Sequence, residues 1–528
     1  MKNNAKRIIS ALLLATVLFT TACGSVGGDI SLRSFTPTNS DYQAVIDMID
    51  GIPEASLETE SAVEAAFASY SVLDAESKQK VSNFERLVAL REEIADLYED
   101  TTKRGSKIDR SKILIGTYCV NFTDDSHIKE VAECGIDFIA AASYSPEYMD
   151  TLAKYNLGAF VSAGNFGYPV WNTSDHMPGV DVGAPSFTIE EFAAFGREFD
   201  DHEAIWGIEL MDEPHADEIP YLGQWTQVLL DKYPDYQVYN NLFPSYGDGG
   251  VEQIGFADEE GNSDYERYVK YYIENVNLDY VSYDHYMYWT VGSSSNEGNQ
   301  LYGWDAAIEN MRIVADACRE TNKDYWIVVQ ANNPNKTHFT TTNQLRFQAN
   351  TALAFGYTVI NWACYNPGWF YNNICDANGN KTVQYEKVQQ VNKEINTLSP
   401  VFMKYKNIDT NIIGAIDDEC PSFYENDDNV INQDIFLDLT TTKDTDQSIL
   451  CGYFEKRIGE GYAMMFVNVS YPYCEYENVA EQVFFKVSKA DAIVTLHTAD
   501  GSVILSPDAE GVYCFWAGNA EYNFVTVE

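Results

Sequence analysis

Between residue 112 and about residue 400, short apolar and β-branched runs alternate with stretches whose apolar residues recur at helical spacing. The runs predict eight strands, at 113–119, 136–142, 157–163, 204–211, 237–242, 278–283, 325–329 and 358–363. Helices are predicted between them, among others at 146–154, 189–199, 222–232, 304–321 and 342–355. Eight such units are typical of a (β/α)8 TIM barrel, to which we assign residues 111–403. A doubly wound sheet would normally carry a glycine-rich phosphate turn after its first strand, and the sequence has none there.

The pattern changes on both sides of this region. Apolar residues recur at helical spacing over 41–99, which predicts three helices in a hairpin or small bundle. The polar residues 100–110 predict a linker. Beyond residue 404 the helical pattern stops, and alternating segments at 462–468, 481–487, 493–497 and 523–527 predict an antiparallel β-sandwich over 404–528.

The first 22 residues are typical of a bacterial export signal. A positively charged start precedes an apolar run at 8–19, which is too short for an ordinary membrane-spanning helix. The sequence Thr-Thr-Ala-Cys at 20–23 resembles a lipobox, although lipoboxes prefer Leu where Thr20 stands. The resemblance implies a lipidated Cys23. We expect a lipoprotein signal peptide and its cysteine at 1–23, a flexible tether at 24–40, and anchoring outside the cytoplasm to a bacterial cell membrane.

Composition narrows the range of partners. The 528 residues include 80 acidic and 34 basic side chains, for a net charge of -46. So acidic a chain is repelled by phosphates, which argues against nucleic acid and leaves the lipid anchor as the expected membrane contact. The 36 tyrosines would suit a sugar-binding surface. The ten cysteines show no metal-type spacing, so no metal site is predicted, and their pairing does not follow from the sequence.

The fourth predicted strand ends in two adjacent carboxylates, Asp212 and Glu213, followed by Pro214. Active sites of such barrels lie at the carboxyl ends of the strands. A carboxyl group crowded by a second acid and partly desolvated has a raised pKa, so it can act as a general acid near neutral pH. The structural alternative is that Asp212 caps the next helix and Glu213 pairs with a cation.

With this motif, the barrel resembles clan A of the glycoside hydrolases over residues 112–400. In that clan the fourth strand ends in Asn-Glu, often followed by Pro, and the Glu is the general acid/base. The resemblance implies that role for Glu213, with Asp212 standing where Asn is usual. It also implies that Trp362, in the eighth strand, forms the floor of a sugar site.

The seventh strand departs from the clan pattern. Clan A enzymes carry a nucleophilic Glu at its end, whereas this sequence has Gln330. An amide cannot be the nucleophile of a retaining double displacement.

Three interpretations remain open. Asp284, at the end of the sixth strand, would act as nucleophile or base, or would only orient His285. Alternatively, Asp212 and Glu213 resemble the Asp-Glu pair of hexosaminidases with substrate assistance, in which the Asp steadies the 2-acetamido group of an N-acetylhexosamine. In the third interpretation the protein is a catalytically inactive carbohydrate-binding lipoprotein.

Amide and aromatic side chains follow other strand ends, where they would bind hydroxyls and cover a pyranose face. The candidates for substrate binding are Tyr118, Asn165, Asn241, His285, Tyr286, Gln330, Trp362 and Trp369. Motifs of metalloproteases, serine hydrolases and P-loop NTPases are absent.

The sequence thus predicts an extracellular glycoside hydrolase that cleaves O-glycosidic bonds of an oligo- or polysaccharide and needs no cofactor. Segments 45–50, 64–70 and 80–83 of the helical region resemble a small module common in surface proteins of Gram-positive bacteria, which implies a spacer.

Overall fold

The structure is a computed structural model that describes residues 40–99, 103–169, 187–196, 201–246, 251–288, 304–414, 435–441, 448–470 and 479–528. The chain divides into two compact units, Asp100–Lys393 and Met1–Glu99 with Glu394–Glu528. The signal peptide, Cys23 and nearly all of the tether predicted above lie outside the described residues. No helix within the described ranges is long and apolar enough to cross a membrane.

The unit 100–393 contains eight parallel strands. They are β1 Leu114–Thr117, β2 Phe138–Ala142, β3 Gly158–Ser162, β4 Ile205–Asp212, β5 Gln237–Asn241, β6 Tyr280–His285, β7 Asp324–Gln330 and β8 Val359–Ala363. Neighbours in sequence are neighbours in the sheet, and β8 pairs with β1. A bridge between Leu242 and Tyr283 brings β5 to β6. The strands therefore form the TIM barrel that the sequence predicts.

Before the barrel, the described residues form four helices, which are α1 Tyr42–Asp50, α2 Glu60–Ser71, α3 Ala75–Lys78 and α4 Phe84–Asp96. The helices that follow the barrel strands are α5 Asp125–Glu133, α6 Pro146–Lys154, α7 Ile189–Ala194, α8 Ile219–Lys232, α9 Val251–Ile254, α10 Tyr265–Asn275, α11 Trp304–Thr321, α12 Thr342–Phe355 and α13 Val383–Phe402. Side-chain caps fix several of their starts. Ser145 accepts a hydrogen bond from the N–H of Tyr148 at α6, and Thr341 forms a capping box with Gln344 at α12.

Aromatic side chains fill the interior of the barrel. The ring of Phe160 lies 5.4 Å from that of Phe138 and 5.1 Å from that of Tyr239, and Tyr280 stacks on Trp326 at 3.8 Å. These rings need space, and Gly116 on β1 supplies it, because a Cβ there would lie 2.2 Å from the Phe138 ring. The barrel is thus a packed core, and chemistry is confined to its mouth.

The second unit combines the helical segment with two antiparallel sheets. The strands are β9 Tyr405–Gly414, β10 Phe436–Thr441, β11 Ser448–Lys456, β12 Tyr462–Asn468, β13 Ala480–Val487, β14 Val494–Thr498, β15 Gly501–Ile504, β16 Tyr513–Gly518 and β17 Tyr522–Val527. One sheet has the order β10-β13-β16 and the other β15-β14-β17-β12-β11-β9. A shared core that includes Phe436, Phe466, Phe485 and Phe515 packs between them, as expected of a β-sandwich.

A buried cluster of charges joins the helical segment to the sandwich within this unit. Lys404 lies 3.1 Å from Glu60 and 2.9 Å from Glu64, and Lys456 lies 2.9 Å from Glu60. Arg91 pairs with Glu64 at 3.1 Å. The role of the helical segment as a spacer stays a prediction.

Candidate active site

Asp212 and Asp284 meet at the mouth of the barrel through the amide group of Asn241. The Asn241 Nδ2 lies 3.2 Å from an oxygen of Asp212 and 2.9 Å from an oxygen of Asp284. Asp212 ends β4, Asn241 ends β5 and Asp284 is the next-to-last residue of β6, so three neighbouring strand ends build this group. One nitrogen holds both acids, so these two oxygens are at most a little over 6 Å apart.

A chain of hydroxyl groups below the acids sets the orientation of the Asn241 amide. Ser282 donates to the Asn241 Oδ1 at 2.9 Å, which turns the NH2 group toward the two carboxyl groups. Because the Ser282 proton is used in this way, the Tyr239 hydroxyl donates to Ser282 at 3.2 Å, and Tyr118 donates to Tyr239 at 3.1 Å. Three strands and the residue that follows β1 thus contribute to a directed network that ends on the acid pair.

The environment raises the pKa of the acids at this mouth. Burial and then the charge of Asp212 raise the pKa of Asp284 well above its ordinary value, and hydrogen bonds from Asn241 and Tyr286 oppose the shift. Solvent reaches the Asp212 side chain, but the protein packed around it raises its pKa to about 6. The pKa of Glu209, three positions before Asp212 on the same strand, rises to about 7 through burial and the charge of Asp212. One or more of these carboxyl groups therefore holds a proton near neutral pH.

Glu213 follows Asp212 in a left-handed conformation, with φ at 50°. Its backbone N–H donates to the Asn241 carbonyl oxygen at 2.7 Å, which fixes the position of this residue against β5. A non-glycine residue in this region is strained by roughly 1–2 kcal/mol. Such strain is commonly kept where a side chain has a functional orientation.

The hydroxyl group of Tyr286 lies in the field of the same acids. Its pKa is raised by burial first, and then by the charges of Asp284, Cys364, Glu213 and Asp212. Asp212 and Asp284 thus lie together through Asn241, and Glu213 follows Asp212 directly in the chain.

Aromatic rings form one wall beside the acids. The Trp369 ring lies 5.8 Å from that of Tyr118 and 6.3 Å from that of Tyr286, and Phe370 lies 5.6 Å from Tyr286. The Trp369 Nε1 is buried with no hydrogen-bond partner among the described residues. Aromatic faces with a few polar groups are suited to bind an uncharged polar ligand.

Four predicted substrate-binding residues do not join the acids, namely Trp362, His285, Gln330 and Asn165. Trp362 is fully buried and its Nε1 donates to Asn392 on α13 at 2.8 Å. The indole therefore lies behind β8 and does not form the floor predicted for it. The reason is the alternation of a strand, because the preceding Asn361 faces the interior, where it donates to Tyr239 at 3.4 Å.

His285 and Gln330 are also buried behind or between the strands. The His285 Nδ1 bonds to Asn310 on α11 at 2.9 Å, while Asp284 takes the inward position. Gln330 is fully buried, and its Oε1 accepts from the Tyr288 N–H at 3.0 Å. Through these contacts, His285 and Gln330 support the loops after β6 and β7.

Asn165 lies in the 3-10 turn after β3. Its Oδ1 accepts from the Tyr144 N–H and its Nδ2 donates to the Ser162 carbonyl oxygen, both at 3.2 Å. The structure therefore shows it holding the ends of β2 and β3, while Tyr118, Asn241, Tyr286 and Trp369 join the acids at the mouth.

The structure adds Glu209, Ser282 and Tyr239 to the site. The sequence offers a signal for Glu209, because it is an acid within the apolar run of the fourth strand. Acidic residues are seldom buried unless they are paired or functional. Ser282 and Tyr239 carry no such signal, because their function depends on neighbours from other strands. Among the described residues, no group of three or more His, Cys, Asp or Glu side chains is placed to hold a metal ion.

No protein-family model and no curated protein matches this chain. Solved structures are similar at low identity. A family 42 β-galactosidase from G. stearothermophilus is 8% identical, with a TM-score of 0.47, and the match covers 80% of this chain and 99% of that one. A family 51 α-L-arabinofuranosidase from Bifidobacterium longum is 10% identical, with a TM-score of 0.40 and coverage of 80% and 94%. An endo-β-1,4-mannanase from Thermotoga petrophila is 10% identical, with a TM-score of 0.35 and coverage of 77% and 97%.

Proposed function

We propose that this protein is a glycoside hydrolase that cleaves O-glycosidic bonds of an extracellular oligo- or polysaccharide. The observation that carries the proposal is the group of acids at the barrel mouth, in which Asp212 and Asp284 share the amide of Asn241 and Glu213 follows directly. Glycoside hydrolysis needs a proton donor on one side of the bond and a carboxylate on the other. Raised pKa values give such a group both states near neutral pH.

In this proposal Glu213 protonates the glycosidic oxygen. Asp284 supports the opposite side, where a carboxylate stabilises the positive charge that develops on the sugar. Asp284 suits that task because it is held by Asn241 and only 3% exposed, so water would not screen the charge that it carries when it is ionised. Trp369 and Tyr286 would cover the sugar.

A second candidate is a substrate-assisted N-acetylhexosaminidase. Its support is that Asp212 and Glu213 are adjacent, and that Gln330 is engaged with the Tyr288 backbone rather than placed as a partner of the acids. In this mechanism Asp212 would orient the 2-acetamido group of the substrate, which would attack in place of a protein carboxylate. Only N-acetylhexosaminides would then be cleaved.

The test is hydrolysis of a broad panel of aryl glycosides and oligosaccharides by the protein lacking residues 1–23. We expect turnover by the wild type and a loss of about 100-fold or more in Glu213→Gln. Asp284→Asn and Asp212→Asn distinguish the two mechanisms, since the variant that loses turnover identifies the supporting acid. Asp217→Asn, an exposed acid in the following turn, is the control and should keep its activity. Saturable glycan binding without turnover on any substrate would instead identify a binding protein.

We also propose that Cys23 carries a lipid that anchors the protein outside the cytoplasm to a bacterial cell membrane. The support is the export signal and lipobox-like sequence described above. Labelled palmitate should be incorporated into the wild type and not into Cys23→Ala when the full chain is expressed in bacteria. Labelling of both proteins, or of neither, would contradict the proposal.

A further inference from the structure

Two cysteines lie side by side at the mouth of the barrel. Cys119 comes two residues after β1 and Cys364 directly follows β8, the neighbouring strand. The pairing continues past the strand ends, since Tyr118 N–H donates to Trp362 O at 3.2 Å and Tyr365 N–H donates to Tyr118 O at 2.9 Å. Neighbouring strands are separated by about 5 Å, which lies within the Cα separations that a disulfide spans.

The two sulfur atoms lie close together, because both are within a few Å of the point that a Cβ of Gly368 would occupy. They are not bonded to each other, and both cysteines are free. The backbone of Gly368 covers them, because a Cβ there would lie 2.3 Å from the Cys119 sulfur and 3.5 Å from the Cys364 sulfur. Cys119 is partly exposed, whereas Cys364 is fully buried.

We infer that Cys119 and Cys364 are a reversible modification site that forms a disulfide with a low-molecular-weight disulfide as oxidant. The Cys119 thiolate attacks one sulfur of the oxidant, and one thiolate leaves. The Cys364 thiolate then attacks the Cys119 sulfur and expels the second thiolate. The two protons of the protein thiols pass to the two leaving groups, so one disulfide is reduced for each one formed.

The surroundings of the two thiols fit this order of steps. The neighbouring Cys364 thiol lowers the pKa of Cys119, against burial and the charge of Asp212. Burial raises the pKa of Cys364. The exposed sulfur with more thiolate character reacts with the oxidant, and the buried sulfur next to it resolves the mixed disulfide.

The bond would alter the loop that carries Trp369. In the reduced protein the Cys364 thiol donates to the Trp369 carbonyl oxygen at 3.9 Å. A disulfide has no thiol proton, so this hydrogen bond is lost on oxidation. Trp369 belongs to the aromatic wall beside the acids, so the oxidation state of the pair is coupled to the shape of the mouth.

The experiment treats the full-length protein with oxidised glutathione, blocks remaining thiols under denaturing conditions and maps peptides by mass spectrometry. We expect one cross-linked peptide pair, Cys119 with Cys364, which is lost on reduction with dithiothreitol. Amide hydrogen exchange in residues 368–371 should become faster in the oxidised protein. Recovery of both cysteines as blocked thiols, or as stable glutathione adducts, would overturn the inference.

Two variants make the result specific. In Cys364→Ser, Cys119 should stop at the mixed disulfide and carry glutathione. Cys318→Ser removes a buried cysteine on α11 and should still form the Cys119–Cys364 bridge. A glutathione adduct on Cys119 that is equally abundant in the wild type and in Cys364→Ser would contradict Cys364 as the resolving thiol. None of these readouts depends on glycosidase activity.

Discussion

At the scale of single residues, Asp284 is a buried acid whose environment differs strongly from water. It is 3% exposed, faces Asp212, and is held by one amide hydrogen bond from Asn241 at 2.9 Å. Its pKa is therefore raised well above 3.8 in the folded protein. Groups arranged in this way commonly reduce stability for the sake of function.

We predict that Asp284→Asn changes how stability depends on pH. Between pH 3.8 and its raised pKa, the folded protein keeps a proton that the unfolded chain releases, so this group lowers stability as pH rises, by up to about 1.4 kcal/mol per pH unit. The variant lacks this contribution. Urea unfolding at pH 4, 5.5 and 7 measures this. The free energy of unfolding of the variant should increase relative to that of the wild type as the pH rises.

A matched acid tests whether burial is the cause. Asp231 is exposed on the outer face of α8, so Asp231→Asn should change the free energy of unfolding by less than about 0.5 kcal/mol at each pH. A difference between Asp284→Asn and the wild type that stays constant over the three pH values would contradict the raised pKa of Asp284.

At the scale of elements, the sequence predicts strand positions well and side-chain directions less well. Each of the eight predicted barrel strands is present, with ends shifted by at most a few residues, because apolar runs bounded by polar turns mark them clearly. Trp362 shows the limit. A shift of one position exchanges the inward and outward faces of a strand. On β8, Asn361 faces inward to Tyr239 and Trp362 faces outward to Asn392.

The connection between β4 and α8 yields a second prediction. Glu213 has a φ of 50°, which costs an alanine roughly 1–2 kcal/mol and a glycine almost nothing, while glycine loses about 0.5–1 kcal/mol through chain entropy. Glu213→Gly should therefore unfold at a temperature equal to or higher than Glu213→Ala, although both lose the proposed acid. Differential scanning calorimetry measures the two midpoints.

Asp217, in the turn before α8, provides the comparison. Its φ is not among the positive values in the described residues, so there the glycine variant should unfold at a lower temperature than the alanine variant. If the glycine variant unfolds at a lower temperature than the alanine variant at both positions, the left-handed conformation of Glu213 costs nothing.

At the scale of the whole molecule, the sequence predicts the helical segment as a spacer, and the structure adds the charges that bind it to the sandwich. Periodicity reveals a helix and its apolar face, but it does not indicate which partner a buried charge has. Glu60 and Glu64 on α2 pair with Lys404 and Lys456, which lie more than 300 positions later in the chain. The partner of such a residue is decided by tertiary contacts.

The last prediction concerns this cluster of charges. Burial alone would raise the pKa of Glu64, but Arg91 and Lys404 outweigh it and hold the pKa well below its usual range. Glu64→Gln leaves Lys404, which is 2% exposed, with one acid fewer. Removing one partner of a buried pair costs about 3–5 kcal/mol, so we expect a loss of this order in the free energy of unfolding at pH 7.

The dependence on pH separates charge from packing. Because the pKa of Glu64 is lowered in the folded protein, its contribution is complete above pH 4.5 and is lost as pH falls toward the folded value. The deficit of Glu64→Gln should therefore shrink in acid. Glu76→Gln is the control, since Glu76 pairs with Lys80 on the surface, where the two are 81% and 46% exposed, and such pairs contribute about 0–1 kcal/mol. A deficit of equal size in both variants would mean that the buried cluster does not stabilise this unit.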